Sequence, residues 1–207
     1  MEGEFWGPGV ISLNCPLQVE DGVTLTLRAG TEIRFLGNYV ADIRGNLDCL
    51  GTVTSPVTFT HSSATVAESW GFLRLWGHHS NWTYTVVKYG TGVNDLGGST
   101  FDHCTFDTNG YGLATASSSD MSSSTLNNNT INLLVYAECA PDIDSINLVP
   151  TSNTMWNAYI DQRLDASVTN SWWGASPPDD ELIWDETDMG TYGLLNYYGY
   201  TASLIVW

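Results

Sequence analysis

Lysine is almost missing from this chain: one residue of 207, Lys88, carries it, and six Lys+Arg stand against 23 Asp+Glu for a formal net charge of −17. Nucleic-acid binding is excluded on this ground, because neutralising phosphates takes clustered basic side chains. Attachment to an anionic membrane surface fails for the same reason. No apolar run approaches the roughly 20 residues that span a bilayer, so membrane insertion is not expected. Gln occurs twice, and the other good helix formers are thin, so a helical protein is a poor fit. No CxxC joins any of the four cysteines, Cys15, Cys49, Cys104 and Cys139, so zinc-ribbon and thioredoxin-like chemistry has no support. Met1-Glu2-Gly3-Glu4 lacks the basic and apolar regions of a signal peptide. An exported protein would therefore owe its export to a signal not present in this chain.

What is abundant is small and polar. Fifteen Asn, 19 Ser, 23 Thr and 20 Gly fill more than a third of the sequence. Charged residues are only 14 %, while 43 % hydrophobic and 12 % aromatic content suffices for a core, so disorder is excluded. Thr, Val, Tyr and Trp favour strands. The second half repeats itself. STFDHCTF at 99–106 matches STLNNNTI at 124–131, 25 positions on, and SNWTYTVV at 80–87 lies 19 positions before it. DSINLV at 144–149 and ASVTNSWW at 166–173 continue the series. One large apolar residue leads each unit: Trp82, Phe101, Leu126, Ile146 and Val168. Units this short cannot bury an apolar face alone. Stacked coil on coil they close a continuous core, so the period predicts an all-β solenoid with room for about seven coils.

The first half carries strands of the same kind. Val23–Leu27 alternates and turns at Ala29-Gly30-Thr31, and Pro56–His61 follows Gly51-Thr52. In Trp70-Gly71-Phe72-Leu73-Arg74-Leu75 the alternation points Leu73 and Leu75 inward and Arg74 outward. The phrases GVTLTLRAGTEIRF, GNLDCLGTVTSPVTFTH, WGFLRLWG and NSWWG resemble the right-handed parallel β-helix repeat proteins of the pectate-lyase-like superfamily, of the secreted and cell-surface type. The likeness covers roughly residues 10–200, departing at Phe72, where relatives often have Gly, and after the terminal motif, where a proline is missing. It implies a single-stranded right-handed parallel β-helix, with an N-terminal cap over 1–18, coils over 19–174 and a C-terminal cap and tail over 175–207. It also implies an extracellular or cell-surface location. Open strand edges at the ends of such a column invite pairing, so oligomerisation through end or edge contacts is an expectation.

Candidate sites are few. Trp70, Trp76 and Tyr84, with Arg74 between them, form an aromatic group suited to stacking on sugar rings, so a polysaccharide or cell-surface glycan is the expected partner. Asp179, Asp180, Glu181, Asp185, Glu186 and Asp188 crowd ten positions near the C-terminus and form a candidate Ca²⁺ site, although the spacing fits no EF-hand. No other cofactor is implied. Asp102 with Asp107, and Asp142 with Asp144, are the carboxylate pairs a glycoside hydrolase would need. Arg74 and Lys88 are the bases left for a lyase. His78-His79 is a tandem whose rings point apart in an extended chain. Thr24/Thr26, Thr52/Thr54, Thr58/Thr60 and Thr83/Thr85 would suit an ice-binding ladder only if they shared one flat face. Cys49 falls inward in line with Leu27, the place of a buried free thiol. Cys104 falls near a corner, at the position Asn129 takes in the later coil.

Two readings follow. The leading one is a non-catalytic module: a rigid spacer, adhesion or glycan-contact domain. The alternative is a polysaccharide lyase or hydrolase, and an ice-binding protein is the remaining one.

Overall fold

The computed structural model describes residues 4–63, 65–77, 79–152, 154–185, 187–188 and 190–206. Among these, almost every strand pairs in parallel with the strand one turn before and one turn after it, giving a β-solenoid of about eight turns. Three sheets run the length of the column. The first holds nine strands from Glu4–Trp6 to Leu195–Asn196, the second seven from Gly9–Leu13 to Asn147–Val149, and the third eight from Leu17–Val19 to Ile183–Trp184.

The apolar leads of each coil stack across the first sheet as Trp82, Phe101, Met121, Ile143 and Val168. This corrects the phase of the repeat. The step after Phe101 is 20 residues, not 25, so Thr105 pairs with Thr125 and Phe106 with Leu126 in the second sheet. Leu126 and Ile146 therefore do not belong to the Phe101 column. Cys104 correspondingly occupies the position of Ser124, whose Oγ accepts its backbone N–H at 2.9 Å. Asn129 instead stacks on Asn109. The solenoid has about eight turns in all, and the seven expected are those of residues 19–174. One more turn comes from the segment expected as an N-terminal cap: Glu4–Trp6, Gly9–Leu13 and Leu17–Val19 each extend one sheet by a strand. At the far end, Ile183–Trp184 and Leu195–Asn196 extend two of the sheets again. Phe5 and Val10 stand more than half exposed on the first turn, at the open edge.

The core is the inside of the column. Leu27, Leu47 and Cys49 from the first sheet meet Ile33, Phe35 and Phe59 from the second and Ile43, Leu73 and Leu75 from the third, all fully buried. Rings fill part of it: Phe35 stacks on Trp70 at 4.4 Å between centroids, and Phe59 on Trp82 at 5.6 Å.

The corners are built without much glycine. Between the first and second sheets a single left-handed residue other than glycine turns the chain in the coils from Asn81 onward: Tyr84, His103, Ser123, Ser145 and Asn170, all with φ between 43° and 53°. The residues that follow form a polar ladder inside the corner. Ser124 and Ser171 donate to the carbonyls of Ser122 and Thr169, and Oγ accepts an N–H from the coil below. At the corner leading from the third sheet to the first, close stacking does demand glycine. A Cβ on Gly77 would overlap the carbonyl oxygen of Gly45, and one on Gly97 would overlap that of Gly77. Beside it the buried Asp95 carboxylate accepts from Ser99 N (2.8 Å), Ser99 Oγ (2.9 Å) and Ser119 Oγ (2.6 Å), which replaces its lost hydration. Between the second and third sheets runs a buried asparagine ladder, Asn109, Asn129, Asn132 and Asn157, linked amide to amide.

All four cysteines are free thiols. Burial raises the Cys49 and Cys139 thiols above their ordinary range and pushes Cys104 up to about 12. Thiolate is the reactive form. Only the exposed Cys15 is therefore expected to react quickly with a disulfide reagent in the native protein, and all four in denaturant. Rapid native reaction of two or more thiols would contradict this core.

Candidate functional site

The aromatic group expected from the sequence is not one site. Trp70 is a correction: it is fully buried, stacked on Phe35, with its indole N–H donated to the Lys88 carbonyl at 2.9 Å. It has no face to offer a ligand. Tyr84 turns the corner between the first and second sheets and stacks on His103 at 4.6 Å. The His103 Nδ1 lies 2.9 Å from Asp102 Oδ1 without the alignment of a hydrogen bond. Trp76 is 48 % exposed and donates to Asp42 Oδ1 at 2.7 Å. Arg74 points outward from the third sheet, Cα-paired with Asp42 on the strand below. So Arg74 and Trp76 flank Asp42, while Tyr84 is on another corner.

A larger aromatic surface lies on the outer face of the third sheet. Trp184, Tyr159, Leu134, Ala114, Asn94 and Arg74 are successive Cα partners along the column. Beside them Trp156, Ile131 and Tyr111 form a second file. Tyr159 and Trp184 are parallel to within 3° at 6.0 Å, and Trp156 tilts against Trp184 at 5.1 Å. Phe72 stacks on Tyr111 at 6.3 Å, and the Arg74 guanidinium lies 5.8 Å from the Phe72 ring. Gly92, the Cα partner of Phe72 on the next strand, has no side chain to stand between the two rings, and a Cβ there would meet Tyr111.

Tyr111, Trp156, Tyr159 and Trp184, with Ile131 and Leu134, wall a groove of about 520 Å³, completed by Met155 and Asp161. Its floor is apolar and its only ionisable carboxyl among the described lining residues is Asp161. Tyr136 rises at one side and donates its phenol to Asn94 Oδ1 at 2.6 Å, reaching across the strand of Ala114. Burial raises the Tyr136 phenol against the pull of that hydrogen bond. Burial, then the neighbouring Tyr192 and Asp161, raises Tyr159. Both phenols stay protonated donors at neutral pH.

Carboxylates dominate a different face. Asp120 and Asp142 are Cα partners on the first sheet, and Asp144 shares that face with Asp142. Burial, then Asp142 and Asp102, raises Asp120 above the usual carboxylate range. Asp144 falls below it: burial works against ionisation, but bonds from Thr169, Ser145 and Asn170 outweigh it. Asp102 and Asp107 are separated onto the first and second sheets.

The C-terminal acids are used by the backbone. Asp179 caps the 3-10 turn Asp180–Leu182 by accepting from Glu181 N. Asp185 is buried, and its carboxylate accepts from Thr187 N, Thr187 Oγ1 and Leu195 N. Asp188 accepts from Asp185 N. Asp180 and Glu181 are exposed. Among the described residues no three His, Cys, Asp or Glu are grouped to hold a metal ion. Glu186 and His78 lie outside the described residues. The threonine pairs are scattered: Thr24/Thr26 on the first sheet, Thr58/Thr60 on the second, Thr83/Thr85 either side of a corner and Thr52/Thr54 in a turn.

No protein-family model, no characterised protein and no solved structure matches the chain.

Proposed function

We propose that this chain is a non-catalytic glycan-contact module of an extracellular or cell-surface protein, with the outer face of the third sheet as its binding surface. The observation that carries this reading is the groove lined by Trp156, Tyr159 and Trp184. Aromatic rings with polar edges give a sugar a flat apolar face to stack on and donors for its hydroxyls. The column beneath is rigid, because each turn is held by hydrogen bonds to both neighbours, and a preformed site loses little entropy on binding. The groove's single carboxylate supports a binding role over hydrolysis, which uses two carboxyl groups facing across the scissile bond. The buried thiols are shielded from oxidants, which suits an exported protein.

Affinity electrophoresis through gels cast with soluble polysaccharides tests the reading. Retardation is expected with at least one glycan. The Trp156→Ala/Trp184→Ala pair is expected to abolish it while the circular dichroism spectrum stays that of the parent. Unaltered retardation of that variant would remove the third sheet from the function. Release of reducing ends or unsaturated products would replace the module with an enzyme.

A further inference from the structure

Resting on that reading, the charge and direction of the groove specify its ligand. We infer that the third sheet binds an uncharged, extended polysaccharide lying along the solenoid axis, across the strands. The direction follows from where the rings are. They do not cluster around one point but lie along the sheet: Trp184, then Trp156 and Tyr159, then the aliphatic Ile131 and Leu134, then Tyr111, and, across the ringless strand Gly90–Asp95, Phe72 under Arg74. Five strand steps of about 4.8 Å separate the first from the last, a track of roughly 24 Å. A track of that length, two side chains wide at its Trp184 end, fits several sugars in a row and is far longer than a monosaccharide needs.

The absence of charge follows from electrostatics. The groove's own ionisable carboxyl is Asp161, and Asp42 lies beyond Arg74 in the same file. The whole chain carries −17. A polyuronate would bring one carboxylate per ring into this field, and like-charge juxtaposition suppresses a wrong partner. Among the described residues Arg74 is the one cation on the track, and it stands at its far end over the Phe72 ring, where it caps the stack rather than lines the floor. The polar atoms at the margin (the Tyr136 and Tyr159 phenols, Asn94 and Asp161) suit the hydroxyls of a neutral sugar. Bidentate capture of carboxylates would call for arginine forks instead.

Titration calorimetry with neutral β-linked gluco- and manno-oligosaccharides, from disaccharide to hexasaccharide, and with oligogalacturonates of equal length separates the outcomes. Affinity for the neutral series is expected to climb with each added ring until the track is full. Phe72→Ala should weaken the hexasaccharide about tenfold and leave the disaccharide unchanged. The uronates should bind at least tenfold more weakly, with the gap narrowing at high salt as screening takes effect. Equal or tighter uronate binding, or an affinity that is flat beyond the disaccharide, overturns this inference while the glycan-contact function stands. No heat with any saccharide defeats that function itself, and concentration-dependent dimerisation lost in Trp156→Ala would assign the groove to a second copy.

Discussion

Trp82→Ala is expected to cost about 3–5 kcal/mol of folding stability, the largest effect of any single truncation in this chain. Trp82 is fully buried in the middle of the column. It stacks on Phe59 of the second sheet at 5.6 Å and meets the edge of Phe101 on the next turn at 5.3 Å. Its indole N–H donates to the Leu47 carbonyl at 2.8 Å, so the same side chain also ties its turn to the one below. Truncation opens a cavity that the rigid backbone of stacked coils cannot collapse. It also leaves the Leu47 carbonyl short of a partner. In a solenoid each turn is stabilised by its two neighbours, so the damage falls on two interfaces at once. Trp76→Ala is the comparison: that ring is 48 % exposed, and its loss should cost less than about 1 kcal/mol. Chemical denaturation of the two variants decides the matter. Equal midpoints would mean that Trp82 is not a core residue.

Asn129→Ala is expected to follow at about 2–4 kcal/mol, although it removes little volume. The Asn129 amide makes four bonds inside the second corner. Its Oδ1 accepts from Asn109 N at 2.9 Å and Asn109 Nδ2 at 3.1 Å, and its Nδ2 donates to Phe106 O at 3.0 Å and Asn132 Oδ1 at 2.9 Å. Deleting it strands buried partners on three residues, and each unsatisfied buried group costs about 1–3 kcal/mol. Asn127→Ala, on the outer face with one bond to Asp107, should cost less than about 1 kcal/mol. A loss at Asn129 no larger than at Asn127 would show that the ladder is decoration.

Much of the architecture was legible because solenoid packing repeats the same demand at each turn. Leu73 and Leu75 inward with Arg74 outward, and Cys49 in line with Leu27 of the coil before, followed from alternation and hold in the structure. The phase beyond residue 110 did not follow. SDMSSSTL at 119–126 is the true partner of STFDHCTF, but Met121 replaces Phe101 and Ser124 replaces Cys104, so the serine- and asparagine-rich neighbour at 124–131 looked the better match. The corner residues gave no warning either, since Tyr84, His103 and Ser123 turn left-handed without glycine.

The aromatic face proposed to bind was hidden in the sequence by a local irregularity. Strict alternation from an outward Trp156 would turn Ala158 outward and Tyr159 inward. Instead Asn157 and Ala158 are both buried, the first in the asparagine ladder and the second in the core, and Tyr159 emerges outside. Asn132 and Leu133 do the same one turn earlier. Only the ladder, which the sequence shows merely as scattered asparagines, explains why Trp156 and Tyr159 share a face. Trp70 failed for the converse reason. Gly71 is drawn in against Val40 and Tyr39, so Trp70 can enter the core beside it.

The indole N–H spectrum of the ¹⁵N-labelled protein, recorded as a neutral polysaccharide fragment is added, tests the central claim most directly. Among the described residues, eight tryptophans report from different places on the column. The signals of Trp156 and Trp184 are expected to shift progressively with ligand, while those of the buried Trp70 and Trp82 stay where they are. Movement confined to Trp76, or no movement of Trp156 and Trp184 with a glycan that the protein demonstrably binds, would contradict a binding surface on the third sheet.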